Sequence, residues 1–141
     1  MVKVMRPFHL AFPVDDLARA EAFYRDVIGC RIGRQSDKWI DFDFYGHQVV
    51  AHVVDSAAEI QRNLVDGDKV PAFHFGVVLS VEDWDSLVGR LKEHAVEFLI
   101  EPRVRFEGQP GEQRTFFVKD PAGNALEFKA FSDMGRLFAA D

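Results

Sequence analysis

An order of elements that repeats along the chain is the feature that most limits how these 141 residues can fold. The pattern of apolar and polar residues predicts a strand, a helix and three strands, and then the same order again. We place a first βαβββ module at residues 7–54, a connection at 55–71 and a second module at 72–131, within a single domain of residues 1–141. The chain therefore predicts an α+β fold, in which two curved mixed sheets form a cleft and the helices cover the outer face.

The first module opens with a strand at residues 7–14, where apolar side chains alternate with His9 and Ala11. Asp15 or Asp16 is a suitable N-cap for the helix that follows, and Gly29 is a natural residue to end it. A turn at residues 45–48 separates the last two of three strands, which we place at 31–35, 38–45 and 49–54.

The second module repeats this order from a strand at residues 72–79. Ser80 and Asp83 form a possible capping box for its helix, and a Gly- and Pro-containing loop occupies residues 107–112. We place the remaining strands at 96–100, 114–118 and 125–131. The connection between the modules is polar, with a short helical piece expected near Ile60.

Composition excludes several classes of partner. The net charge is −6 and no basic run stands out, which argues against nucleic acid as a partner. No apolar run approaches the roughly 20 residues that span a bilayer, and we see no secretion signal. Cys30 is the single cysteine, which excludes an internal disulfide. We therefore expect a cytoplasmic protein without a membrane partner, whose 14 Phe supply much of its core.

Three polar side chains in predicted strands are candidates for chemistry: His9 and His74 occupy matching places in the first strand of each half, and Glu127 lies in the final strand. Each is flanked on both sides by large apolar residues, which we expect to face the helix layer. Successive strand residues point to opposite faces, so the two histidines and the glutamate are predicted to face the cleft. Two imidazoles and one carboxylate are the ligands of an open metal site. Taken singly, a histidine on a strand is more often a surface or hydrogen-bonded residue, and a strand glutamate is usually solvated.

The residues that carry a family resemblance lie in three stretches: FHLAFPV at 8–14, DFDFYGHQ at 41–48 and GNALEFKAF at 123–131. With the order of elements, they resemble the vicinal oxygen chelate superfamily, which includes glyoxalase I, fosfomycin-resistance transferases, bleomycin-binding proteins and extradiol dioxygenases. The stretches are most similar to a bacterial branch of predicted extradiol-type dioxygenases. The most specific motif for the superfamily, DPxGNxLE at 120–127, does not by itself define the reaction.

This resemblance implies that His9, His74 and Glu127 bind one divalent metal ion. In the dioxygenases the ion is Fe(II) or Mn(II), and the small substrate is a catechol that chelates it. The alternatives are a glyoxalase-like isomerase or thiol transferase, with Zn(II) or Ni(II) as the metal, and a binding protein of the bleomycin type without catalysis. Single-domain members of the superfamily usually pair, so we expect a homodimer, with the site built within or between chains.

His52 is open to three interpretations. Glyoxalase I takes a fourth ligand from the last strand of the first half, where this chain offers Val50 or His52. As a fourth ligand, His52 would favour isomerase chemistry; as an acid–base group it would suit dioxygen chemistry. It is otherwise a histidine that packs within the sheet.

Four polar residues flank the predicted Gly/Pro loop, and they are candidates to bind an anionic group of the substrate. They are Arg103, Arg105, Gln113 and Arg114. For any one of them, a solvated strand residue is the simpler interpretation. We expect His47 to lie in a turn, Gln48 to begin a strand in an undecided role, and His94 to end a helix.

Overall fold

The computed structural model describes residues 5–55, 64–65 and 70–140. The chain divides into two compact units, Met1–Gln61 and Arg62–Asp141. The predicted helical piece near Ile60 and most of the predicted connection lie outside the described residues. The α+β fold with two βαβββ modules is confirmed by two four-stranded mixed sheets, one in each unit.

The first unit contains four strands, with a helical segment between the first two. The strands are β1 (His9–Val14), β2 (Arg31–Gln35), β3 (Trp39–Phe44) and β4 (His47–Val53), in the sheet order β1-β4-β3-β2. Strand β1 pairs in parallel with β4, and the other pairs are antiparallel. The turn before β4 is one residue pair, Tyr45 and Gly46, so β4 begins two residues earlier than predicted.

The helical segment of this unit begins as predicted. Asp16 is the N-cap, and its carboxylate accepts a hydrogen bond from the backbone N–H of Arg19. Helix α1 (Leu17–Glu21) continues directly as a π-helical stretch, Ala22–Ile28, which ends at Gly29 in the left-handed conformation with φ of 95°. Tyr24 is buried against the sheet, where its ring lies 5.2 Å from the rings of Phe12 and Phe42. These contacts fix the helical layer on the apolar face of β1 and β3.

The second unit contains the remaining strands and helix α2. The elements are β5 (Leu64–Val65), β6 (Val70–Pro71), β7 (Val78–Leu79), α2 (Val81–Glu93), β8 (Phe98–Arg105), β9 (Gln113–Lys119), β10 (Ala125–Phe131) and a 3₁₀ turn, Met134–Arg136. The main sheet has the order β7-β10-β9-β8, and β5 pairs with β6. Its central strand, β10, matches the predicted bounds.

Helix α2 begins at the predicted N-cap, where the Ser80 hydroxyl accepts a hydrogen bond from the N–H of Asp83. Trp84 of this helix is buried, and its indole N–H donates to the carbonyl of Phe128 at 3.0 Å. The rings of Phe116 and Phe128 stack at 5.4 Å beneath it. The indole bond therefore holds the helix on the strand that carries Glu127.

Two expectations about the opening strands of the modules are wrong, one about the length of a strand and one about which way side chains face. The strand predicted at 72–79 is regular only at β7, although an isolated bridge joins Phe75 to Leu126. Phe8 and Phe73, expected to face the helices, are 64% and 47% exposed. Both lie at the start of their segments, before regular pairing has fixed which way the side chains point. Alternation holds for Glu127, whose neighbours Leu126 and Phe128 are fully buried.

In the part of the chain that the structure describes, no helix is both long enough and apolar enough to cross a membrane.

Candidate metal centre

His74 and Glu127 are brought together in the second unit. His74 directly precedes Phe75, which bridges β10 at Leu126, and Glu127 is the next residue of that strand. The Nε2 atom of His74 lies 3.2 Å from Oε1 of Glu127. The side chains are 30% and 12% exposed, so the pair is partly shielded from water but accessible.

The hydrogen bonds of His74 define what faces Glu127. Its Nδ1 lies 2.9 Å from the backbone carbonyl of Pro71, and since a carbonyl can only accept, Nδ1 carries the proton. In the neutral ring, Nε2 then presents a lone pair to a carboxylate oxygen. Two acceptors at this distance repel each other unless a proton or a cation lies between them. A divalent ion would bind both atoms, so the residues fit a metal.

Glu127 is held from its other side. The hydroxyl of Thr115, a buried residue of β9, donates to Oε2 of Glu127 at 2.5 Å. Lys129 lies next on the same face of β10, with Nζ 4.0 Å from Oε1. The ring of Phe117 meets the His74 ring edge-on, with centroids 5.0 Å apart. The carboxylate is therefore oriented through Oε2, which leaves Oε1 to face His74.

His9 lies in the first unit, on the face of β1 opposite its buried residues. Its Nδ1 atom is 2.8 Å from the side-chain oxygen of Gln48. The side-chain nitrogen of Gln48 in turn donates to Asp41 at 3.3 Å. Like His74, His9 thus donates its Nδ1 proton to an oxygen, and its Nε2 is left with a free lone pair.

The strand register places His52 away from His9. In the β1–β4 pair, His9 is opposite Gln48, whereas His52 is opposite Pro13. Four residues of strand correspond to about 13 Å, which is beyond the joint reach of two imidazoles on one ion. The register therefore argues against His52 as a ligand of an ion bound by His9, and its acid–base role stays a prediction. His47 begins β4, where its Nδ1 accepts the N–H of Phe8 at 2.8 Å.

The predicted substrate residues divide between the two faces of the second sheet. Gln113 alternates with Thr115, so it lies on the face of Glu127, and the β8 partners of these two residues are Arg105 and Arg103. Arg114 lies on the other face, with Nη1 3.5 Å from Asp85 of helix α2. Since its side chain points to the helix layer, the geometry argues against Arg114 as a partner of a substrate beside Glu127.

A cavity of about 610 Å³ lies in the second unit beside Lys129. Its lining consists of the Gly/Pro loop, two strand ends and the C-terminal segment: Phe106, Gln109, Pro110, Gly111, Gln113, Lys129, Phe131, Arg136, Leu137, Ala139 and Ala140. Lys129 and Arg136 are its positively charged lining residues, while Phe106 and Phe131 form an apolar part of its wall. A small anion with an apolar part suits such a lining.

Thr115, Lys129 and Arg136 were not predicted as site residues from the sequence. Lys129 could have been predicted, since it is two residues after Glu127 in one predicted strand and so lies on the same face. Thr115 comes close to Glu127 only through the register between β9 and β10, and Arg136 lies in a segment after β10 without a regular pattern of apolar and polar residues. Within each unit, the described residues contain no group of three or more His, Cys, Asp and Glu side chains that could hold a metal ion.

Glu112 links the Gly/Pro loop, which lines the cavity, to the segment after β10 by hydrogen bonds. Its carboxylate accepts hydrogen bonds from the N–H of Gly108 at 2.9 Å and from the hydroxyl of Ser132 at 2.5 Å. These bonds stabilise the charged form, the Gly108 bond most, and they lower the pKa of Glu112 below its ordinary value. Glu112 thus joins the Gly/Pro loop to the residue that follows β10.

We expect Glu112→Gln to lower the free energy of unfolding at neutral pH and to lose this effect in acid. Because the folded pKa is lowered, the stabilisation by Glu112 is complete above the unfolded pKa, about 4.3, and is lost as the pH falls through the folded pKa. Thermal melts of both proteins across this range measure the difference. Glu101→Gln, an exposed residue of β8, is the control. A difference between wild type and Glu112→Gln that does not shrink in acid would contradict the assignment.

Comparison with known proteins identifies relatives over most of the chain. Residues 6–128 match the model of the Glyoxalase/Bleomycin resistance protein/Dioxygenase superfamily. A crystal structure of a glyoxalase/bleomycin resistance protein/dioxygenase from Alicyclobacillus acidocaldarius is 34% identical, with a TM-score of 0.80, and the match covers 94% of this chain and 96% of that one.

Two further relatives carry names that refer to antibiotic resistance or thiol transfer. The metallothiol transferase FosB of Lysinibacillus sphaericus is 26% identical over 129 residues, which are 92% of this chain and 84% of the relative. The fosfomycin resistance protein FosX of Listeria monocytogenes has the same fold, with a TM-score of 0.70, 22% identity and coverage of 97% of this chain and 100% of that one.

Proposed function

Because the chain belongs to the glyoxalase/bleomycin resistance protein/dioxygenase superfamily, we propose that it is an enzyme that requires a divalent metal ion. The observation that carries the proposal is the contact between His74 and Glu127, in which a lone pair on Nε2 faces a carboxylate oxygen at 3.2 Å. This arrangement is stable when a cation lies between the two atoms. Donated Nδ1 protons and oriented carboxylates are typical of metal ligands.

In this proposal the ligands are His74, Glu127 and His9. His9 is included because it has the same state as His74: its Nδ1 proton is given to an oxygen and its Nε2 is left to bind. Two neutral nitrogens and one anionic oxygen suit Fe(II) or Mn(II), with Zn(II) or Ni(II) as alternatives, and leave positions for a substrate. When bound, the ion supplies positive charge that polarises a substrate oxygen.

The substrate that best fits is a small anion. Lys129 lies on the face of Glu127 and also lines the 610 Å³ cavity, so its ammonium group is close to both the proposed ligand Glu127 and the cavity. Arg136 adds a second positive charge, and Gln113 adds a hydrogen-bonding amide at the wall. These side chains orient the anion, while Phe106 and Phe131 exclude water from its apolar part.

We propose transfer of a thiol to this anion as the reaction, because the metallothiol transferase FosB is a relative over 92% of the chain. Ring cleavage of a catechol is the second candidate, and the observation that favours it is the donor set, since two histidines and one carboxylate are the ligands of many Fe(II) oxygenases. A binding protein without catalysis is disfavoured, because proteins of the bleomycin-binding type generally lack these ligands.

Metal analysis tests this proposal. We expect protein purified anaerobically without an affinity tag to contain close to one Mn or Fe per chain by mass spectrometry, and His74→Ala to lose it. His94→Ala, at the end of helix α2, is the matched control. Loss of free thiol with fosfomycin as substrate would support transfer, whereas oxygen uptake with catechols would support ring cleavage. No metal in the wild type, even after reconstitution, would overturn the proposal.

We also propose that the protein acts as a homodimer in the cytoplasm, as single-domain relatives of this superfamily suggest. Light scattering of the purified protein measures the mass of the assembly directly.

A further inference from the structure

Gln48 lies directly across from His9 in the parallel pair of β1 and β4. Side chains at paired positions of adjacent strands project from the same face of the sheet. The side-chain oxygen of Gln48 is 2.8 Å from Nδ1 of His9. The contact is thus produced by the register of the sheet, and it involves the nitrogen of His9 that would not bind a metal.

The orientation of the Gln48 amide follows from its second neighbour. Asp41 of β3 lies 3.3 Å from the side-chain nitrogen of Gln48, and a carboxylate can only accept hydrogen bonds. The amide NH₂ therefore faces Asp41, and the amide oxygen faces His9. With the amide held this way, His9 can form its hydrogen bond only when Nδ1 carries the ring proton.

We propose that Gln48, oriented by Asp41, is a positioning residue that holds His9 in the tautomer protonated at Nδ1, so that Nε2 is available to bind a metal. The inference rests on the proposed function insofar as it makes His9 a ligand. The neutral imidazole of an isolated histidine favours the proton on Nε2, so this tautomer requires an acceptor beside Nδ1. For His74 a backbone carbonyl is that acceptor, whereas for His9 it is a side chain that can be replaced.

Gln48→Leu tests the proposal, because leucine has a similar size and no acceptor. Nitrogen-15 NMR of the histidine rings in the metal-free protein, in mildly alkaline buffer, reports the tautomer directly, and the chain has 5 histidines to assign. We expect the His9 proton to move to Nε2 in the variant, and the affinity for Mn(II) to fall about tenfold to a hundredfold. Gln48→Glu combined with Asp41→Asn keeps an acceptor beside His9 and a donor–acceptor contact between positions 41 and 48, and it is expected to keep the proton on Nδ1. Gln48 is exposed, so the melting temperature is expected to change little.

Gln35→Leu is the matched control, since Gln35 is an exposed glutamine of β2 in the same sheet. A His9 ring that keeps its Nδ1 proton in Gln48→Leu would overturn the proposal. It would also be overturned if the proton moves to Nε2 but the Mn(II) affinity stays the same, in a protein whose His9→Ala variant no longer binds Mn(II). If instead His9→Ala binds Mn(II) as well as the wild type, the assignment of His9 as a ligand has failed. The NMR result in the metal-free protein still decides whether Gln48 sets the tautomer.

Discussion

Gly76→Ala is expected to unfold the edge of the second sheet and to abolish metal binding. A Cβ atom at this position would overlap the backbone carbonyl of Glu127 on the neighbouring strand. Backbone atoms of a central strand cannot turn aside as a flexible side chain can. The segment around Gly76 must therefore move away from β10, and His74, two residues earlier, moves with it.

The cost has two parts. Displacement breaks the hydrogen bonds by which this segment is paired: Phe75 N–H to the Ala125 carbonyl at 3.2 Å, Glu127 N–H to the Phe75 carbonyl at 2.9 Å, and Lys129 N–H to the Val77 carbonyl at 3.2 Å. Partial relaxation instead leaves strain. From the usual magnitudes of lost hydrogen bonds and overpacking, we expect a fall of about 2–4 kcal/mol in the free energy of unfolding. The melting temperature falls by roughly 10 °C.

Gly89→Ala is a matched control with the opposite expected sign. Gly89 lies in helix α2, is exposed, and has nothing within 4 Å of an added Cβ. Alanine there is expected to raise the free energy of unfolding by about 0.5–1 kcal/mol, because glycine loses more conformational freedom in a helix. Chemical denaturation of the three proteins measures both effects. A Gly76→Ala protein as stable as the wild type would mean that the segment does not lie so close to Glu127.

Glu127→Gln is expected to lower the affinity for a metal ion and, at the same time, to raise the stability of the metal-free protein. The substitution removes the proposed anionic ligand and keeps the shape of the side chain. We therefore expect the affinity for a divalent ion to fall at least about a hundredfold, which is the upper end of the loss when a residue that only supports a ligand is replaced. The hydroxyl of Thr115 can still donate to the amide oxygen. The amide nitrogen then faces Nε2 of His74, where the wild type has a carboxylate oxygen at 3.2 Å. A repulsive contact thus becomes a hydrogen bond.

Without metal, we expect this variant to be more stable than the wild type by about 1 kcal/mol, the usual net value of one hydrogen bond. With metal at about 100 times its dissociation constant, the wild type gains about 2.7 kcal/mol and becomes the more stable protein. Thermal melts in mildly alkaline buffer, where a histidine ring is ordinarily neutral, measure this reversal of order with chelator and with Mn(II). A variant less stable than metal-free wild type would indicate that a proton, rather than repulsion, lies between the two side chains.

The fold was predictable because local signals agreed with the tertiary structure. Asp16 and Ser80 cap their helices, Gly29 ends the first, and β10 has its predicted bounds. Alternation also identified Glu127 correctly as a polar residue between two buried ones.

What sequence reasoning could not supply was register. The partner of His9 is Gln48 because of the way β1 pairs with β4, and no local pattern states that offset. The same offset separates His52 from His9, and the β9–β10 register brings Thr115 to Glu127. Phe8 and Phe73 were misplaced because alternation presumes a paired strand, and both precede the paired residues.

In each sheet, the first strand of the module pairs in parallel with the last, which affects the order in which the parts of the protein form during synthesis. Strand β1 pairs with β4, and the segment at Phe75 pairs with β10, so each histidine segment joins its sheet through contacts distant in sequence. Such contacts form late, since a long stretch of chain must be ordered before they repay its entropy. The ribosome translates Glu127 of β10 only after helix α2 and strands β8 and β9, well after His74. A nascent chain therefore cannot form the His74–Glu127 pair until β10 has been made and paired, so the ion of the proposed site would be bound only after the second sheet has folded.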